Sequence, residues 1–115
     1  PNKIKYSWGF YSSHSTGFFI NRNAALKVGK YNIKYKFHAD YDYFYRMIVK
    51  YKMKGVATKK DEIFGIFRRG GFSSSINFID HMFESTKIRI DNGQNKIIVL
   101  FTFLYKYLCN LNRIK

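Results

Sequence analysis

Residues 40–55 constrain the fold of this chain most. Tyr41, Phe44, Tyr45, Ile48 and Tyr51 recur at helical spacing and form a stripe that must be buried. Asp40 and Asp42 fall in the first turn, where negative charge suits the helix dipole. Lys50, Lys52 and Lys54 fall at the other end, where positive charge suits it, and Gly55 follows as a stop. A helix from about 40 to 53 is the expected centre of the molecule.

The other elements arrange around it. Residues 6–20 end in the apolar run Gly17-Phe18-Phe19-Ile20 and read as a strand or an extended buried segment. Asn21-Arg22-Asn23 offers a cap for a short helix over 24–28, which Gly29 stops. Residues 30–38 read as a loop. Val56-Ala57-Thr58 and Glu62–Phe67 read as two short strands around a charged turn. The segment 68–75, with Gly70 and Gly71, is a loop with large backbone freedom. Helices over about 76–90, closed by Asn92-Gly93, and 95–111 complete the chain. The expected fold class is α/β (α+β for an isolated fragment), with short mixed strands packed by about four helices. Residues 1–93 form the main unit and 94–115 a C-terminal apolar and basic helix.

With 115 residues, 46% of them hydrophobic, the chain can build one core and not two. The 20% aromatic content excludes a disordered tail, and Cys109 as the sole cysteine excludes a disulfide scaffold. The chain begins at Pro1, which fits a processed protein or a piece of a longer one. No apolar signal segment is visible, so a cytoplasmic or membrane-peripheral location is expected.

A formal net charge of +14 points first to a nucleic-acid or membrane-surface partner. The charge is diffuse, however. Lys, Ile, Phe, Tyr and Asn, all with AT-rich codons, make up 59 residues, so genomic bias supplies many of the lysines. Solvated lysines therefore rank above a nucleic-acid face, and a basic nucleic-acid-binding or peripheral membrane-binding module stands as the rival reading. The run Ile97–Tyr105, between Lys96 and Lys106, is too short to span a bilayer. It reads as a buried core helix, with membrane contact through 95–113 if its cover is missing.

Asp40 and Asp42 are the only acidic residues among the first 60. A carboxylate among lysines suits a general base. Composition alone favours a capping role for Asp40 and an i,i+4 pairing with Arg46 for Asp42. Asp40-Tyr41-Asp42 also spells a D-x-D pattern, but no apolar strand leads into it, so no metal is assigned there. His14, His38 and His81 each lack a second ligand at metal spacing. Arg68 and Arg69 with Gly70 and Gly71 can wrap an anion, although an ordinary exposed loop is the plainer reading. Cys109, in an apolar helix, does not look like a nucleophile.

Four segments in order resemble the C-terminal half of family 2 glycosyltransferases. They are His14–Arg22, Val28-Gly29-Lys30-Tyr31, His38–Arg46 with its A-D-x-D and an Arg four residues after the second Asp, and Phe67–Ser73. The resemblance covers about residues 12 to 90. It implies the acceptor-side half of a GT-A-type domain that transfers sugar from a nucleotide-sugar donor to an acceptor hydroxyl, with inversion. It implies Asp40 as the catalytic base, Asp42 and Arg46 as supports, and His14 beside the acceptor as an acceptor or metal contact. Arg68, Gly70, Gly71 and Ser73 would lie near the departing diphosphate. A divalent metal, Mg or Mn, is implied for the full enzyme but not for this fragment alone. The donor-binding half is absent, which implies an inactive fragment.

Overall fold

A computed structural model describes residues 17–56, 59, 61–63, 65, 66, 68, 70, 71 and 75–111. Helix α1 spans Arg22–Val28 and α2 spans Ala39–Tyr45. A π-helical turn over Arg46–Lys50 extends α2. Helix α3 spans Phe78–Asp91 and α4 spans Lys96–Cys109.

Three helices start on asparagine. The side chains of Asn21, Asn77 and Asn95 accept the N–H of Asn23, Ile79 and Ile97 at 2.9, 3.0 and 2.9 Å. Each bond satisfies an amide that lacks a partner in the first helical turn. Gly29 ends α1 at φ +84°, and Gly93 follows α3 at φ +82°, a region that glycine enters without steric cost. The expected helices over 24–28, 76–90 and 95–111 thus form, with ends shifted by a residue or two.

The central helix departs from expectation at its end. Its α-helical part stops at Tyr45, and the π turn carries the chain to Lys50. The exit uses Lys52 at φ +53°, not Gly55, and the N–H of Met53 closes onto the carbonyl of Met47 at 3.1 Å. Four successive residues, Asp42 to Tyr45, are buried, so α2 is enclosed on more than the expected stripe. Phe44 packs on Phe18 in a tilted arrangement with ring centroids 4.2 Å apart, and Tyr43 stacks on Tyr31 at 4.4 Å. Val28, Tyr45 and Met47 join Tyr43 and Phe44 in this core, with Ile20, Tyr41, Ile48 and Met53 packed against it.

The α/β expectation is not met. Among the described residues there is no strand and no sheet, and the fold is helical. Phe18–Ile20 run without a ladder partner, and the described parts of 56–58 and 62–67 form none either. A strand is stable only when its N–H and C=O groups are paired across a ladder, and an apolar run cannot supply that partner itself. Val56, Ile63 and Ile66, expected inside a sheet, are almost fully exposed. The remaining residues of those runs lie outside the described ones.

The expected burial of the last helix is also corrected. Only Val99 and Thr102 of α4 are buried, while Ile97, Leu100, Phe101 and Leu108 are exposed. Among the described residues, α3 is the main neighbour and covers one side through contacts such as Phe83–Phe103, with ring centroids at 5.4 Å. An all-round apolar helix needs cover on every side, and α3 packs against only one.

Candidate functional site

The first turn of α2 collects the polar chemistry of the molecule. Asp42 is 1% exposed and bound on both oxygens. Arg46 Nε donates to Oδ2 at 2.9 Å, and Asn92 Nδ2 donates to Oδ1 at 2.9 Å. Arg46 also donates to the carbonyls of Val28 and Lys30 at 2.7 and 2.9 Å. The Val28 carbonyl lies at the C-terminus of α1, where acceptors lack helical partners. Asp42 and Arg46 thereby tie the end of α1, the body of α2 and the end of α3 into one polar clamp.

Asp40, two residues earlier, is held differently. It is partly exposed and accepts the N–H of Tyr41 at 2.7 Å, within its own turn. It is not the cap, which is His38. Burial, then the charges of Tyr43 and Asp40, push the Tyr31 hydroxyl above its ordinary 10.0, which places Tyr31 in the field of the Asp40 carboxylate. The two aspartates therefore divide between a part-exposed acid and a buried strut.

The loop entering α2 is organised by a residue that the sequence pattern does not single out. Glu84 of α3 accepts the successive backbone N–H groups of Lys36, Phe37 and His38 at 2.6, 2.7 and 2.9 Å. Three amides converging on one carboxylate form an anion nest. Desolvation works to raise the Glu84 carboxyl, but these amides and the His38 ring outweigh it and hold it below its ordinary 4.5.

His38 and His81 meet beside this nest. His81 Nδ1 lies 2.9 Å from His38 Nε2, and His38 Nδ1 lies 3.3 Å from Glu84 Oε2. With His38 donating to Glu84 through Nδ1, its Nε2 accepts a proton bond from His81. Burial, then the charge of His81, holds His38 below its ordinary 6.5 despite Glu84. One signal of this cluster was available, since His81 and Glu84 stand three apart on one helix face. The approach of His38, 43 residues away in sequence, was not. A cavity of about 380 Å³ opens next to the pair, lined also by Tyr41, Arg89 and Lys106.

His38 makes stability depend on pH. The folded state binds a proton at His38 less readily than the unfolded chain, so the stabilisation is present above 6.5 and is lost as pH falls below it. The thermal midpoint is expected to fall between about pH 7 and about pH 5, and His38→Gln should flatten that slope. An equal slope in the variant would assign the dependence elsewhere.

The remaining expected site residues are not drawn into this cluster. Arg68 is exposed, and no hydrogen bond or ion pair joins it to Asp40 or Asp42. Gly70 has φ +91° and Gly71 is exposed next to it, as a turn requires. His14 and Ser73 lie outside the described residues. Among the described residues, no group of three or more His, Cys, Asp or Glu side chains is arranged to hold a metal. No helix among them is long and apolar enough to cross a membrane. Compared with known families, curated proteins and solved structures, the chain matches none.

Proposed function

We propose that this chain is the acceptor-side part of an inverting, nucleotide-sugar-dependent glycosyltransferase of family 2, with Asp40 as the base. The reading is supported above all by the contrast between two carboxylates on one helical turn. Asp42 is buried and saturated by Arg46 and Asn92, so it holds the helix and cannot reach a substrate. Asp40 is part-exposed, with its hydrogen bond confined to its own turn. A general base needs this combination of a fixed backbone and an accessible oxygen.

In the reaction Asp40 takes the proton of the acceptor hydroxyl. The acceptor oxygen forms a bond to the anomeric carbon, and the bond from that carbon to the nucleoside diphosphate breaks. Arg68, with Gly70, Gly71 and Ser73, would face the departing diphosphate and neutralise its developing charge. A divalent metal, supplied with the donor-binding half, would share that task. Location in the cytoplasm or against a membrane surface fits this reading.

Asp40→Asn in the complete enzyme is the test. Turnover should drop by at least about 100-fold, the scale of a lost general base, while the unfolding transition stays in place. Near-normal turnover in that variant would remove Asp40 from the chemistry.

A further inference from the structure

Helix α4 leaves most of its apolar surface on the side away from α3, while Val99 and Phe103 pack on the α3 side. Thr102, Lys106 and Asn110, four residues apart, share the side turned to α3, where Thr102 is buried and Lys106 and Asn110 line the cavity. The opposite side carries Ile97, Leu100, Phe101, Leu104, Tyr105 and Leu108 at spacings of three and four. Exposure reaches 65% at Ile97, 66% at Phe101 and 63% at Leu108. At 1.5 Å per residue this stripe is about 17 Å long, and it holds no charged residue.

We propose that this face is a docking surface for an anionic lipid bilayer, with α4 lying in the plane of the interface. The charge distribution selects this occupant. No acidic residue follows Asp91, Lys96 stands at the start of the stripe, and Arg113 and Lys115 follow it in sequence, in a chain of net charge +14. A continuous apolar stripe enters the boundary between headgroups and acyl chains, and surrounding cations meet anionic headgroups. A second copy of the chain would bring an equal net charge of +14 against this one. An acidic protein would need cations within the stripe, and it contains none. The surface is independent of the transfer chemistry, since neither Asp40 nor Asp42 belongs to it.

Vesicle co-sedimentation of the 115-residue chain tests this inference. The chain should pellet with a roughly two-to-one mixture of phosphatidylcholine and phosphatidylglycerol, and remain in solution with phosphatidylcholine alone. Added salt should weaken the binding. The double variant Leu104→Gln/Leu108→Gln should lower partitioning at least about tenfold, the scale expected for two exposed leucines that no longer enter lipid. Its helical circular dichroism should be unchanged, and Phe101→Gln serves as a second, single-site variant. Failure to pellet with the mixed vesicles would overturn the proposal, as would equal binding to both vesicle types or unimpaired binding by the variants. So would concentration-dependent dimerisation that the double variant abolishes.

Discussion

Asp42→Ala is expected to destabilise the fold by about 3–5 kcal/mol, the cost of breaking a buried ion pair from one side. The carboxylate is 1% exposed and accepts from both Arg46 and Asn92. Its removal leaves the Arg46 guanidinium without its charge partner, while that group still contacts the carbonyls of Val28 and Lys30. It also frees one N–H of the Asn92 side chain where α3 ends. The figure compares with a total of about 5–15 kcal/mol for a typical domain, so the variant should be close to unfolding. Asp42→Asn keeps an acceptor for Arg46 or Asn92 and should lose less. Urea unfolding of both variants checks the ordering. A loss below about 1 kcal/mol for Asp42→Ala would mean that the pair behaves as a solvated surface contact.

Glu84→Ala should be the second large effect, at about 2–4 kcal/mol, because hydrogen bonds to a charged acceptor are the stronger class. Three consecutive amides, at Lys36, Phe37 and His38, lose their acceptor together. The Lys36 contact is exposed, so water replaces part of it, which keeps the figure below three full bonds. Hydrogen exchange gives the more specific readout. The amides of 36–38 should exchange faster in the variant, while those in the middle of α3 are little changed. Unchanged exchange at 36–38 would remove the nest from the account. The same carboxylate adds an acid limb to stability. Its folded-state pKa lies below the ordinary 4.5, so its contribution is present above that pH and is lost as pH falls below it.

Helices were the legible part of the fold. Asn21, Gly29, Gly93 and the stripe from Tyr41 to Ile48 act over three or four residues, and such local signals operate in any tertiary context. Strands were not legible in the same way. Gly17–Ile20 and Glu62–Phe67 have apolar composition suited to a sheet, but a ladder depends on a second segment that composition does not name. The helix exit through Lys52 was equally hidden, because Gly55 is the better left-handed residue on propensity alone.

The site divides along the same line. The Asp42–Arg46 pair follows from a spacing of four on one helix, and sequence alone determined it. Sequence also determined that Asp40 and Asp42 begin the central helix and that the last helix is apolar. Only the tertiary structure decided that Asp42 is the buried strut and Asp40 the part-exposed acid, because burial depends on what packs against each side of α2. It alone brought His38 to His81 and Glu84, and it alone turned the apolar side of α4 outward. Contacts between residues 40 to 50 positions apart are set by how helices pack, and no local pattern encodes that distance.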